Sequence, residues 1–204
     1  MSGSFAIEAV DFAKGDGLVP AIVQDAQSGL VLMLGYMNEA ALRHTLDSGQ
    51  VTFYSRSKGR LWTKGESSGH VLRLRRIDLD CDADTLLVQA DPIGPTCHTG
   101  TRTCFGEFPG PALSFLGTLA QLIETRHRER PAGSYTTKLF DAGTRRIAQK
   151  VGEEGVETAL AAVAQDRDAL LGEAADLVFH LLVLLRDRGA GIEDLARVLA
   201  SRHR

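Results

Sequence analysis

The sequence predicts two domains: an N-terminal α+β domain on an antiparallel sheet over residues 1–113, and a C-terminal all-α helical bundle over 114–204. Three observations predict this. The first half strings together short β-branched and aromatic segments separated by turn residues. Residues 105–113 hold two prolines and two glycines in nine positions, a poor interior for helix or strand and therefore the expected linker. From Ser114 onward, apolar residues recur at spacings of three and four, the helical period.

In the first half, 18–25 and 31–34 read as strands, joined by a hairpin turn at 26–29. Residues 38–46 read as a short helix with Asn38 as N-cap, ending near Gly49. Residues 51–55 combine β-branched and aromatic residues and read as a strand. In 70–77 apolar and charged residues alternate with the period of a half-buried strand, and 85–90 supplies another. In the second half, Phe115, Leu116, Leu119, Leu122 and Ile123 mark a first helix with Ser114 as its cap. A break follows at 131–134. Further helices are expected at about 141–164, 166–187 and 192–202, packed antiparallel through short turns.

Composition narrows the function classes. The 204 residues are 44% hydrophobic and 24% charged, enough apolar material for a core and too much for a disordered chain. Basic and acidic residues number 23 and 26, so charge gives no footprint for nucleic acid. The longest apolar run, 177–185, is interrupted by His180 and is far shorter than the ~20 residues of a membrane span. No basic-then-apolar leader opens the chain. Three cysteines without such a leader argue for a reducing, cytoplasmic setting rather than a disulfide framework.

All three cysteines lie within 24 positions. Asp80, Asp82 and Asp84 alternate with Cys81 and Ala83. In a strand the three carboxylates would share one face, repel one another, and suit Mg²⁺ with hard oxygen ligands. A solvated acidic edge is the plainer alternative. Cys97, His98 and Cys104 follow. Thiolate and imidazole suit Zn²⁺, and Cys-x15-Cys-x6-Cys matches no standard zinc finger. Three protein ligands with an open fourth position would be a catalytic arrangement; three buried structural cysteines are the alternative. Residues 62–69, rich in Gly, Ser and Thr with Lys64, could cradle a phosphate with Arg56 nearby, or form an ordinary surface turn.

These stretches, from Ser55 through Trp62, Lys64 and Gly69, then 80–87, then 94–105, closely resemble phosphoribosyl-AMP cyclohydrolase of histidine biosynthesis over about 15–108. Thr103 stands where serine is expected, and His70 where asparagine is common. The resemblance implies a zinc site of Cys81, Cys97 and Cys104 assembled across a homodimer, Cys81 from one subunit and the other two from its partner. It also implies Mg²⁺ at Asp80, Asp82 and Asp84. It further implies that a zinc-activated water adds at C6 of an N1-substituted adenine, after which N1–C6 opens, a logic shared with zinc deaminases. His98 would transfer a proton or position water, or else make an outer hydrogen bond. Arg56, Trp62 and Lys64 would contact the substrate.

The second half carries a different signature. Glu153, Glu154 and Glu157 fall on adjoining parts of one helix face, and Glu173 and Asp176 repeat an acidic pair among apolar neighbours. Two helices that each offer such a pair can clamp Mg²⁺ between them. A solvated face suits Glu153, but Asp176 in its apolar setting calls for a partner or a metal. His180, one turn beyond Asp176, reads as a buried, hydrogen-bonded histidine rather than a ligand.

The acidic pattern resembles the all-α, MazG-like nucleoside triphosphate pyrophosphohydrolases. With 134–139, 147–154 and 173–185 it looks more closely like phosphoribosyl-ATP pyrophosphohydrolase over about 115–200. Gly155 departs from the usual alanine. The resemblance implies Mg²⁺ held by Glu154, Glu157, Glu173 and Asp176, with Glu153 as a further ligand or the base. Lys138, Arg146 and Lys150 would neutralise phosphate, Arg145 being a further candidate. The two halves would then catalyse consecutive steps, from phosphoribosyl-ATP to phosphoribosyl-AMP and on to the opened ring. Two rivals remain at this level: a zinc-stabilised interaction module without catalysis, and a house-cleaning pyrophosphohydrolase with an inactive cyclohydrolase-like domain.

Overall fold

The computed structural model describes residues 5–106 and 110–202. The chain forms two compact units, Met1–Phe115 and Leu116–Arg204. The expected linker lies partly outside the described residues, at 107–109.

In the first unit, β1 (Val19–Asp25) and β2 (Val31–Met37) form the expected hairpin. Burial alternates strictly along β1, so Val19, Ala21 and Val23 enter the core while their neighbours face out. Helix α1 (Glu39–Ser48) starts where the Asn38 carboxamide accepts the Ala41 N–H at 2.8 Å. It stops at Gly49, which takes the left-handed conformation. Strands β3 (Thr52–Ser55) and β4 (Arg60–Thr63) make a separate two-stranded sheet, with Phe53 opposite Trp62 and their rings 5.7 Å apart. Strand β4 begins ahead of, and includes, the first residues read as loop from the Gly/Ser content of 62–69. Its partner, not its composition, makes it a strand.

Strands β5 (Leu72–Leu79) and β6 (Leu86–Pro92) complete a four-stranded sheet of order β2-β1-β6-β5. Two of its pairings are antiparallel as expected, but β1 and β6 run parallel. Parallel neighbours need a long crossover; here it contains β2, α1, β3, β4 and β5. The core lies between this sheet, α1 and β3, around Val23, Leu32, Leu42, Phe53, Leu72 and Val88.

The second unit is helical: α2 (Ser114–Glu129), α3 (Tyr135–Ala142), α4 (Thr144–Ala164), α5 (Arg167–Asp187) and α6 (Ile192–Arg202). Helix α3 falls between the break expected at 131–134 and the helix expected from about 141. Its signals are short-range: the Ser134 hydroxyl accepts the Thr137 N–H, and Gly143 at φ +82° separates it from α4. At 21 residues each, α4 and α5 are about 30 Å long. The Thr144 hydroxyl donates to Asp187 at 2.6 Å, pinning the start of α4 to the end of α5. Ile123, Leu139, Phe140, Ile147, Leu182 and Val183 form the core, drawn from α2 through α5. No described helix is long and apolar enough to cross a membrane.

Candidate active sites

The acidic triplet of the first unit occupies the connection between β5 and β6, not a strand. The carboxylates therefore converge through a turn rather than by strand alternation, which corrects the expected geometry. Asp80 Oδ1 accepts the N–H groups of Asp84 and Thr85, each at 3.0 Å, and Ala83 adopts φ +66° to close the turn. Oxygen atoms of Asp80, Asp82 and Asp84 come within 4.8 Å of one another. Burial works to raise the Asp80 pKa, but the Thr85 and Asp84 N–H groups outweigh it and hold the carboxyl below its usual value.

The side chain of Lys14, not anticipated from the sequence, reaches into this turn. Lys14 Nζ donates to the Asp82 carbonyl at 2.5 Å and to its carboxylate at 3.1 Å, with Asp84 at 3.6 Å. A short 3₁₀ helix, Phe12–Gly15, capped by Asp11, presents it. Its 68-residue separation from Asp82 left no local signal.

Cys97, His98 and Cys104 lie on the loop after β6. The Thr99 hydroxyl donates to Cys97 Sγ at 3.1 Å, and His98 Nδ1 is 3.8 Å from the same sulfur. The Thr99 hydroxyl and N–H together bring the Cys97 thiol down to about 6. Cys104 moves the other way: burial raises its pKa first, and the neighbouring Cys97 charge adds to it. The pair thus favours one thiolate beside one thiol. Cys81 is exposed in the acidic turn, and no cation-sized group of described residues within the single chain unites it with the other two.

Trp62, Lys64, Ser67, Ser68, Cys97, His98 and Cys104 share one cavity of about 480 Å³. The Gly- and Ser-rich loop and the thiols, far apart in sequence, thus face the same space. Lys64 is buried, and its Nζ donates to the His70 carbonyl at 3.1 Å. Burial pulls its pKa down, partly offset by the Cys104 and Cys97 charges. Gly65 at φ +88° permits this approach, since a Cβ there would lie 2.5 Å from the His70 carbonyl. Arg56 is not among the cavity residues; its guanidinium lies 3.8 Å over the Tyr36 ring.

In the second unit, α4 and α5 bring oxygen atoms of Glu154, Glu157 and Glu173 within 4.8 Å of one another. Asp176 is not in this group. It is exposed, against the expectation from its apolar neighbours, because that part of α5 is open: Leu171 and Val178 are exposed too. His180 is buried. Its Nδ1 contacts the Asp176 carbonyl at 2.8 Å, and Nε2 contacts the Tyr135 hydroxyl at 3.0 Å. The expected hydrogen bond to Asp176 exists, but to its backbone, and Tyr135 is a partner the sequence reading did not single out.

Lys150 Nζ is 2.6 Å from Glu154 and 2.9 Å from Glu153. These two bonds raise the Lys150 pKa and lower those of both carboxyls; Gln149 and Arg146 also hold Glu153. Glu157 is pushed up, first by burial and then by the charges of Glu154 and Glu173. A carboxyl raised by its own neighbours is the condition a divalent cation relieves. Lys138 is exposed on α3.

Comparison with known proteins matches residues 33–106 to the phosphoribosyl-AMP cyclohydrolase family and 116–203 to the phosphoribosyl-ATP pyrophosphohydrolase family. The chain is 66% identical over 194 residues to the histidine biosynthesis bifunctional protein HisIE of Xanthomonas axonopodis pv. citri, covering 95% of this chain and 93% of that protein. It is 59% identical to the protein of that name from Vibrio cholerae, covering 96% and 94%. The Bacteroides thetaiotaomicron protein is 55% identical, covering 95% and 96%. With both catalytic domains present and relatives this similar along nearly the whole chain, this protein belongs to the family of bifunctional histidine-biosynthesis hydrolases that join a phosphoribosyl-AMP cyclohydrolase to a phosphoribosyl-ATP pyrophosphohydrolase.

Proposed function

We propose that residues 1–113 open the adenine ring of phosphoribosyl-AMP at N1–C6 with zinc held by cysteine thiolates, and that residues 114–204 release pyrophosphate from phosphoribosyl-ATP with Mg²⁺ held by carboxylates. The observation that carries the first half is the shared cavity. It places the acidified Cys97 thiol, Cys104 and His98 opposite Lys64 and Trp62. The donor set fits Zn²⁺: two sulfurs side by side, one already biased to thiolate. Zinc supplies, when bound, a water acidic enough to lose its proton near neutral pH.

The remaining chemistry belongs to side chains of the chain. Lys64 and the Ser67–Ser68 segment bind phosphate, Trp62 offers an aromatic wall to the base, and His98 moves the proton that must reach the ring nitrogen as the bond opens. Arg56 joins them only if it leaves Tyr36. Two sulfurs are fewer than the three protein ligands of a catalytic zinc site. Cys81 supplies the third from a second copy of the chain, which makes the homodimer part of the site. Asp80, Asp82 and Asp84 hold Mg²⁺ in exchange for Lys14.

In the helical unit, Glu154, Glu157 and Glu173 would hold Mg²⁺, with Asp176 joining from its exposed position on α5. When bound, Mg²⁺ would supply positive charge that screens the phosphate oxygens. Lys150, released from Glu153 and Glu154, and then Arg146 and Lys138 bind the triphosphate. Glu153, freed of its pairing, orients or deprotonates the attacking water. Both substrates bind as ATP-derived nucleotides. Unpaired thiols and the absence of a membrane-crossing helix among the described residues support a cytoplasmic location.

The test feeds phosphoribosyl-ATP with Mg²⁺ and Zn²⁺ and follows pyrophosphate and the ring-opening absorbance change together. Cys97→Ala is expected to stop ring opening and spare pyrophosphate release; Glu154→Ala is expected to stop pyrophosphate release and spare ring opening of supplied phosphoribosyl-AMP. Loss of both activities in either variant refutes the assignment of separate sites.

A further inference from the structure

The loop that carries Cys97 and Cys104 is internally closed by short bonds. Cys97 N–H donates to the Thr101 carbonyl at 3.1 Å, and the Thr101 hydroxyl donates to the Thr103 carbonyl at 2.7 Å. These bonds shape the loop but do not fix its place on the sheet. Contacts with the β1–β2 hairpin do. Cys104 N–H donates to the Leu32 carbonyl on β2 at 2.8 Å. Arg102 Nη2 donates to Asp25 Oδ2 at 2.8 Å across 77 positions of sequence.

Asp25 ends β1, and its side chain has no exposed surface, while that of Arg102 is about one-third exposed. Its two oxygens serve different segments. Oδ1 accepts the Gln27 and Ser28 N–H groups at 2.9 and 3.1 Å and shapes the hairpin turn; Oδ2 takes the guanidinium. A carboxylate this buried is costly without a cation beside it, so the pair stays closed. Arg102 is two residues from Cys104 and directly follows Thr101, whose carbonyl closes the Cys97 turn.

We infer that the Asp25–Arg102 ion pair is a positioning device for the cyclohydrolase site: it seats the loop so that Cys97 and Cys104 present their sulfurs together to a soft divalent cation. Neither residue lines the substrate cavity. The inference rests on the proposal that these two thiols hold a metal.

The experiment uses the metal-free full-length chain and Co²⁺ as the probe, read by its thiolate charge-transfer absorbance. Arg102→Met and the isosteric Asp25→Asn are expected to weaken Co²⁺ binding by about 10–100-fold, the usual effect of losing a group that orients a ligand. Arg102→Lys, which keeps the charge, is expected to recover part of it. The KM for phosphoribosyl-AMP at saturating metal should stay unchanged, and so should pyrophosphate release from phosphoribosyl-ATP. Should Arg102→Met fail to fold, Asp25→Asn decides, because it retains the shape and the turn acceptor. A wild-type band with Asp25→Asn affinity within about twofold overturns the inference alone. A wild-type chain with no thiolate–cobalt band overturns the metal reading, and the inference with it.

Discussion

Substituting Gly65 by alanine should damage ring opening while leaving pyrophosphate release intact. Gly65 sits at φ +88°, where an L side chain meets its own backbone at a cost of roughly 1–2 kcal/mol. The new Cβ would also lie 2.5 Å from the carbonyl carbon and oxygen of His70 and 2.6 Å from the Val71 nitrogen. Ordinary contacts there begin near 3.4 Å. These are backbone atoms, so no rotamer change relieves the clash and the two segments must part by about 1 Å. Crowding of this kind typically adds about 1–3 kcal/mol. Together the two effects exceed about 2 kcal/mol, or roughly a 10 °C fall in Tm for a unit of this size. Lys64 precedes the shifted residue and donates to the same His70 carbonyl, so the displacement passes directly to the Lys64 side of the cavity. A shift of that size in a reacting geometry costs on the order of 100-fold in rate. The assay is the ratio of the two activities in one preparation. Ring opening within about twofold of wild type would refute the claim that this close approach positions the cavity.

Three further outcomes are expected. In metal-free protein, iodoacetamide should modify Cys97 with a rate that rises through a pH near 6, because the thiolate is the reactive form; Thr99→Val should move that midpoint upward, and peptide mass spectrometry would read both. Lys150→Met should tighten Mn²⁺ binding in the absence of nucleotide, seen by electron paramagnetic resonance, because the ammonium that holds Glu153 and Glu154 is gone; weaker binding would show that Lys150 does not compete for the site. His127 packs edge-on against Phe140, and burial, then Arg130 and Arg186, lower its pKa. The unfolded chain therefore binds more protons than the folded one as pH falls through the ordinary histidine range. Melting of the helical unit should occur at lower temperature below about pH 6.5, and His127→Phe should flatten that dependence.

The features legible in the sequence were those with short-range causes. The β1–β2 hairpin announces itself through alternation and a turn, and α1 through the Asn38 and Gly49 caps. The Glu154 and Glu157 pair follows from helical spacing alone, and the cysteine loop from its residue types. Helix α3 was legible in principle through the Ser134 cap but was hidden by its eight-residue length. The opposite case is the acidic turn: strand spacing anticipated the convergence of Asp80, Asp82 and Asp84, but a turn with Ala83 at positive φ produces it.

By itself, then, the sequence determined the two-part organisation, the helical and strand periods, and the residue types able to carry zinc and magnesium chemistry, because capping, alternation and 3.6-residue spacing act over a few residues. The tertiary structure decided the rest. It laid β6 parallel to β1, seated Lys14 among aspartates 68 positions away, closed Arg102 on Asp25 across 77, and faced Lys64 toward Cys97. It also left Asp176 exposed where its neighbours in sequence foretold burial. Each of these depends on which surfaces meet after the chain has folded back on itself, and local periodicity carries no record of that meeting.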